Sequence, residues 1–152
     1  LHDCAEAVER LHNSGRFRDT LSLALSVTGM RPFDLMLRLG AAMAARQGRW
    51  SLDALTRQAW DSLTALNVPP EPLRDAMIAD RLSTDNTGYL PPFLQEDAAA
   101  HKRAARWLRE MHPEWKHPRL AVSSDGQSLW VAVWTSQHPV THRGEVLHLP
   151  LE

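Results

Sequence analysis

The sequence predicts an α+β fold that is predominantly α, with about six helices in a bundle followed by a small three-stranded antiparallel sheet. Apolar residues recur every three or four positions up to about residue 111, which is the period of amphipathic helices. Beyond about residue 117 they alternate with polar residues or form a short apolar run, which is typical of strands. A chain of 152 residues fits one domain of ~100–150 residues. We therefore predict a single domain over residues 1–150, with helices in 1–113 and a β-meander in 117–150.

The first helix is predicted over residues 3–12 and the second over the residues between Phe17 and Gly29. The stripe of the first helix consists of Leu1, Cys4, Val8 and Leu11, and the segment Asn13-Ser14-Gly15 ends it. The chain begins almost inside this helix and without a methionine. We therefore expect it to be a fragment of a longer polypeptide.

The third helix begins at Pro32, whose fixed φ suits the first helical position. It carries two apolar stripes, one of Phe33, Met36, Leu37, Gly40 and Ala44, the other of Leu35, Leu39 and Met43. Because both sides are apolar, we predict that this helix is central in the bundle.

Ser51 is a suitable N-cap for a fourth helix, which the pair Pro69-Pro70 stops. The fifth helix is predicted from about Pro72 to Leu82, and residues 83–92 are rich in turn formers. The sixth is predicted over residues 94–111 and ends before Pro113.

The strands follow. Leu120 and Val122 alternate with polar neighbours, and Asp125-Gly126 is a hairpin signal. Residues 129–134 (LWVAVW) are apolar on both faces, and residues 146–149 form a last strand. These segments predict an antiparallel meander whose middle strand is 129–134.

The charges of the chain nearly cancel, with 17 basic residues, 18 acidic residues and a net charge of −1. This balance differs from that of a dedicated nucleic-acid binder, and charged residues break every apolar stretch well short of the ~20 residues of a membrane span. We therefore predict no membrane and no nucleic-acid partner, and place the protein in the cytoplasm. The sixth helix has a basic face, which consists of Lys102, Arg103, Arg106 and Arg109. Acidic residues lie close to it in the sequence, so we interpret it as a solvated face rather than as a surface that binds RNA or an acidic protein.

The residues indicate no catalytic, cofactor-binding or metal site. Cys4 is the only cysteine, and it lies where the helical period requires a buried apolar residue. His138 and His142 are separated by Pro139, so they do not share a regular helix face as metal ligands. Asp80-Arg81 is interpreted as an ion pair rather than an acid with a helper. Trp130 and Trp134 point to one side of the middle strand, either in a core or at an interface.

Three segments together resemble one family. Leu11 to Phe17 (LHNSGRF), followed by Arg31 to Gly40 (RPFDLMLRLG), resembles the NSGRF … SPFDFF opening of a domain of unknown function. Asp80-Arg81-Leu82 followed by Leu90 to Leu94 (LPPFL) resembles its DYL … LPPFL segment. The run WVAVWTSQHPVTHR is similar to its closing strand and loop, with these residues at the expected spacing: Pro139, Thr141 and Arg143. The domain lies C-terminal to the barrel in cobalamin-binding radical S-adenosylmethionine enzymes, which are Fe-S oxidoreductase-like.

This resemblance implies an accessory domain that helps shape or close the substrate site of a catalytic barrel, its partner upstream in the same chain. The parent enzyme would hold a 4Fe-4S cluster, S-adenosylmethionine and cobalamin, because the family's C-x-x-x-C-x-x-C motif and cobalamin domain lie upstream. No catalytic residue is implied within these 152 positions. Arg81 stands where the family usually has tyrosine, and Val133-Trp134 where Asp-Tyr is commoner.

The turn after the first helix supplies the candidate interdomain contact, formed by Asn13, Arg16 and Phe17. The alternative is that Gly15 ends a helix and Phe17 begins the core of the next. Two other functions stay open: a free-standing helical protein-interaction module, and a small hydrolase or metalloenzyme.

Overall fold

The periodic apolar residues fold into helices and strands in the predicted order. The computed structural model describes residues 2–46, 49–85, 89–137 and 143–151. They contain six α-helices and a three-stranded antiparallel sheet, so the predicted α+β class, mostly α, is confirmed. Among the described helices, none combines the length and the apolar character that a membrane crossing requires.

The chain divides into two compact units: unit 1, residues 1–77, and unit 2, residues 78–152. The division falls inside the fifth helix, α5 (Pro70–Thr84), and not at the predicted change from helices to strands. The described part of unit 1 is helical, and unit 2 contains the sheet. A single domain over residues 1–150 stays a prediction.

Unit 1 is built on helices whose starts follow the predicted signals. Its elements are α1 (His2–Ala7), a π-helical segment (Val8–Asn13), α2 (Arg18–Thr28), α3 (Pro32–Ala44), α4 (Leu52–Ala65) and the first part of α5. Pro32 opens α3, and Ser51 caps α4 by accepting a 3.0 Å hydrogen bond from the Ala54 N–H. Helix α3 packs against α1 and α4.

The first predicted helix is only half α-helical, because it continues as a π-helix from Val8 to Asn13. Wider turns with i→i+5 bonds shift which residues face inward. Cys4, Ala7 and Leu11 are buried, whereas Val8 is only half-buried. The prediction therefore assigned to Val8 the buried position that Ala7 occupies, and it was correct for Cys4 and Leu11.

Helix α3 is buried on one side only. Leu35, Leu39 and Met43 are at most 3% exposed, as predicted. In the second stripe Met36 is buried, but Phe33 is 58% and Leu37 38% exposed. The second stripe is thus buried at Met36 and Gly40 but exposed at Phe33 and Leu37, and the central position of this helix stays a prediction.

Unit 2 combines the end of α5 with one further helix and the sheet. Its other elements are a 3₁₀ turn (Pro92–Leu94), α6 (Ala98–Met111), β1 (Arg119–Val122), β2 (Ser128–Gln137) and β3 (Gly144–Pro150). Helix α6 begins four residues later than predicted, because Asp97 caps it by accepting a 2.8 Å bond from the Ala100 N–H.

The sheet is the predicted meander, in the order β1-β2-β3 with antiparallel pairs. Gly126 turns the first hairpin with a φ of 73°. Ala104 and Leu108 of α6 pack on Leu129, Val131 and the end of β1, and Trp107 and Trp115 pack against this cluster. One face of the sheet is thus covered by α6.

Asp125 in the first hairpin makes unit 2 sensitive to acid. Its carboxylate accepts hydrogen bonds from the Ser123 hydroxyl and from the Gln127 N–H, and these bonds lower the pKa of Asp125. A lowered pKa stabilises the folded chain above the ordinary aspartate value, and this stabilisation is lost as the pH falls through the folded-state pKa. Asp125→Asn is therefore expected to flatten the acid limb of stability against pH, measured by urea unfolding. An unchanged acid limb would contradict it.

Candidate functional site

A cleft in unit 1 lies beside the predicted contact segment. We call it the Arg16 cleft; its volume is about 620 Å³, and its polar lining comprises Glu6, Glu9, Arg10, Ser14, Arg16 and Ser51. Trp50, Leu52 and Leu55 complete its wall. The π-helical segment and the start of α4 thus bound one concave surface. π-Helical turns are frequent at functional sites.

Local hydrogen bonds fix the shape of this cleft. Arg10 Nε donates to Glu6 Oε1 at 2.9 Å, and Asn13 Nδ2 donates to Glu9 Oε2 at 3.1 Å. The Ser14 hydroxyl donates to the Arg10 carbonyl at 2.7 Å. The next residue, Gly15, has a φ of 71°, a conformation that favours glycine. The chain therefore reverses here without strain.

The three predicted contact residues differ in exposure. Asn13 and Arg16 are exposed, and Arg16 lines the cleft. Within the part of the chain that the structure describes, the Arg16 guanidinium has no ion-pair partner. Phe17 is 3% exposed, so its side chain belongs to the core of unit 1, as in the alternative interpretation. A contact role through Asn13 and Arg16 stays a prediction.

The second candidate region is an ion-pair cluster at the C-terminal end of α5, which we call the α5 cluster. Arg143 Nη2 donates to Asp80 Oδ1 at 3.1 Å, and their side chains are only 8% and 2% exposed. Arg81 Nη1 lies 3.6 Å from Asp85 Oδ2. Asp80 is thus ion-paired with Arg143, which is 63 residues away, and the local pair of Asp80 with Arg81 stays a prediction.

Arg119 of β1 ties the sheet to the same helix end. Its guanidinium donates to the carbonyls of Leu82, at 2.7 Å, and Asp85. Helix C-termini leave carbonyls without helical partners, and a cation suits their partial negative charge. Burial lowers the pKa of Arg119, and the nearby Asp85 carboxylate acts in the opposite direction. The α5 cluster therefore holds α5, β1 and the start of β3 together, which is a structural task.

Two of the three segments that carry the family resemblance meet at this cluster. Arg81 Nη1 donates to the Tyr89 carbonyl at 3.5 Å, next to the segment Leu90–Leu94. Leu94 is fully buried, and Gln95 Nε2 donates back to the Leu90 carbonyl at 2.6 Å. Arg143, from the closing segment, bonds Asp80. Pro139 and Thr141 lie outside the described residues.

A smaller cleft of about 390 Å³ adjoins this segment in unit 2, and Tyr89, Leu90, His101 and Lys102 are among its lining residues. His101 Nδ1 lies 2.7 Å from Glu96 Oε1, a contact that holds the ring at the cleft wall. Tyr89 is 78% exposed. The cleft presents one aromatic ring, one cation and one histidine–carboxylate pair, and its lining residues include no serine, threonine or cysteine.

The residues considered for metal or thiol chemistry do not form a site in the described part of the chain. No group of three or more histidine, cysteine or acidic side chains there could hold a metal ion. Cys4 is 6% exposed, as the helical period predicts. His138 and His142 lie outside the described residues. The basic face on α6 is exposed throughout: Lys102, Arg103, Arg106 and Arg109.

The tryptophans of the sheet show an arrangement that the sequence did not indicate. Trp130 stacks on His148 with ring centroids 4.1 Å apart and an angle of 2° between the planes. His148 Nε2 lies 2.6 Å from the Ser128 hydroxyl. The register explains the stack, because Trp130 and His148 are direct partners on β2 and β3. The side chain of Trp134 lies outside the described residues.

Comparison with known proteins identifies the family of the chain. A family model described as "Protein of unknown function (DUF4080)" matches residues 1–127. This range contains the Arg16 cleft and all of the α5 cluster except Arg143. No curated protein and no solved structure matches the chain. Since the match covers well over half of the sequence, the chain belongs to the DUF4080 family.

Proposed function

We propose that this chain is the C-terminal accessory domain of a cobalamin-binding radical S-adenosylmethionine Fe-S enzyme. In this role it packs against a catalytic barrel upstream in the same polypeptide and helps shape or close the substrate site. The observation that supports the proposal most is the meeting of two of the resemblance segments, the one that contains Asp80 and the closing one that contains Arg143, at the α5 cluster. The cytoplasm is the compartment that goes with this proposal.

The chain's own residues do not fit the iron–sulfur cluster of such an enzyme. A cluster of this kind is held by several cysteine thiolates, and the sequence has one cysteine, which is buried in unit 1. The proposal therefore assigns the cluster, S-adenosylmethionine and cobalamin to the upstream part of the parent enzyme. The role left to this chain is to pack against the barrel and exclude water.

The Arg16 cleft is the proposed contact with the barrel. Arg16 is an exposed guanidinium without an ion-pair partner among the described residues, and Trp50 supplies an apolar wall beside it. Arginine and tryptophan are enriched at the energetic centres of interfaces. Arg46 lies 4.6 Å from the centre of the Trp50 ring, so the wall is itself held in place.

The test uses the full-length polypeptide in which this chain follows a C-x-x-x-C-x-x-C motif, compared with a version that ends before it. We expect removal of the chain to lower substrate turnover while S-adenosylmethionine cleavage continues without product, because an open site admits water. Formation of 5′-deoxyadenosine and of product is measured anaerobically. Unchanged coupling after deletion would show that the shaping role is wrong.

Arg16→Glu in the full-length polypeptide separates the contact from the rest of the chain. It is expected to reduce coupling, whereas Arg18→Glu, two residues away and outside the cleft lining, should leave it unchanged. Equal effects of the two substitutions would contradict a specific role for Arg16.

A free-standing protein-interaction module is the alternative, and the exposed apolar residues of α3 favour it. The coding sequence discriminates between the two. An in-frame upstream C-x-x-x-C-x-x-C motif supports the accessory domain and contradicts the alternative.

A further inference from the structure

One strip of the exposed side of α3 is apolar from Phe33 to Ala44, and the charged residues Asp34 and Arg38 lie beside it. Phe33 and Leu37 are 58% and 38% exposed, and Ala41 and Ala44 are also exposed. At 3.6 residues per turn these four side chains fall within an arc of about 80°. We call them the outer α3 stripe. Soluble helices normally place polar residues on the outer side, so the stripe calls for a partner.

Side-chain size along the stripe is graded. The bulky Phe33 and Leu37 lie in the first half of α3, and the small Ala41 and Ala44 lie in the second half. Phe33 and Ala41 are each four residues from Leu37. A two-fold axis near Leu37 would therefore set Phe33 of each copy against Ala41 of the other. The stripe thus has the shape complement of its own antiparallel copy.

The charges beside the stripe agree with this pairing. Asp34 and Arg38 lie one turn apart on one edge of the stripe. The Asp34 carboxylate accepts a 2.9 Å hydrogen bond from Arg31 Nε of the same chain, and no ion-pair partner of Arg38 is found among the described residues. In the antiparallel arrangement Asp34 of one copy lies within two residues of Arg38 of the other, which is about 3 Å along the axis. Opposite charges therefore meet on the flank of the interface.

We propose that the outer α3 stripe is a self-association surface that pairs two copies of this chain antiparallel through Phe33, Leu37 and Ala41. The inference does not depend on the proposed function, because it concerns a different surface. A stripe of four residues buries less area than a standard interface, so the dimer is weak and depends on concentration.

Sedimentation of the 152-residue chain from dilute to concentrated solution tests the pairing. The mass is expected to rise toward that of a dimer. Phe33→Ala should weaken association at least about tenfold through the loss of a large buried apolar group. Ala41→Phe should also weaken it, because Phe33 would meet a second bulky ring. Tyr89→Ala, which removes a ring from unit 2 that is even more exposed than Phe33, should change nothing.

The double variant Phe33→Ala with Ala41→Phe should restore association, because it exchanges the large and the small side of each pair. Recovery is expected only for antiparallel self-pairing. Circular dichroism checks that the fold is kept, as expected for exposed positions. A chain that stays monomeric at all concentrations, or a double variant no better than Ala41→Phe alone, would overturn the proposal.

A cross-link supplies a second readout. Leu37→Cys places a thiol next to its copy at the two-fold axis, whereas Val27→Cys, which is similarly exposed at 45%, lies outside the stripe. With Cys4 replaced by alanine in both, Leu37→Cys should form the covalent dimer at least about tenfold faster under mild oxidation, since proximity raises the effective concentration. Equal rates would contradict the pairing.

Discussion

Replacing Asp80 with alanine is expected to lower the free energy of unfolding by about 3–5 kcal/mol, the range for breaking a buried ion pair by removing one of its two members. Asp80 and Arg143 are both buried, and their bond spans 3.1 Å. Removing the carboxylate leaves the Arg143 guanidinium in a site that excludes water. Urea unfolding measures the change. The slope of the unfolding free energy against urea concentration is fitted freely for each variant, and an altered slope would indicate a changed denatured state.

Asp61→Ala is the matched control, because it breaks an exposed pair. Arg57 and Asp61 lie 3.2 Å apart one turn apart on α4, and each side chain is 55% exposed. Such surface pairs contribute about 0.3–0.5 kcal/mol. A similar loss for Asp80→Ala and Asp61→Ala would show that the buried pair contributes no more than a surface one.

The pair can also be replaced as a whole. Asp80→Leu combined with Arg143→Met should be close to neutral, because apolar groups of similar volume avoid the cost of removing two charges from water. A double variant as unstable as Asp80→Ala would mean that the pair holds the cluster in a geometry that apolar side chains do not reproduce.

The helices were predictable because their signals are local. Pro32 opens α3, Ser51 caps α4 and Asp125-Gly126 turns the first hairpin, as the residues indicate. Two starts were displaced for local reasons as well. Helix α5 begins at Pro70 and not near Pro72, since a proline is accepted at the first helical position. Helix α6 begins after Asp97 and not at residue 94, because the Asp97 carboxylate caps the helix.

Other features lay beyond local signals. Cys4 and Leu11 fit both a regular helix and one that widens to a π-turn, so the apolar pattern does not distinguish them. The pattern of α3 identifies apolar residues but not what covers them, so it does not predict that Phe33 is exposed. Spacing shows which residues share a face, and only packing decides which face is buried.

The α5 cluster shows the same limit for the candidate site. Asp80 and Arg143 are 63 residues apart, and no periodicity connects them. The family resemblance drew attention to both residues, but it did not pair them. Arg119 carried no signal at all, because its bonds go to the backbone carbonyls of Leu82 and Asp85. These three segments come together only through the tertiary fold of unit 2.

Leu94→Ala is expected to cost about 2–5 kcal/mol of stability, the range for removing a fully buried leucine side chain. Leu94 closes the LPPFL segment and is 0% exposed. Its N–H donates to the Pro91 carbonyl at 2.9 Å, which forms the short 3₁₀ turn. The two prolines restrict the chain before folding, so the buried leucine anchors a segment that has little conformational freedom to lose.

Leu90→Ala, at the other end of the same segment, is the control. Leu90 is half-buried and lines the smaller cleft of unit 2, so its removal leaves a smaller cavity and a smaller loss of stability. Urea unfolding of both variants measures the difference. If Leu90→Ala were as costly as Leu94→Ala, the anchor of the segment would lie at the cleft, and the cleft would be part of the core of unit 2. If Leu94→Ala lowers stability much more than Leu90→Ala does, the side of the segment that lines the cleft is not part of the core and is available for contacts.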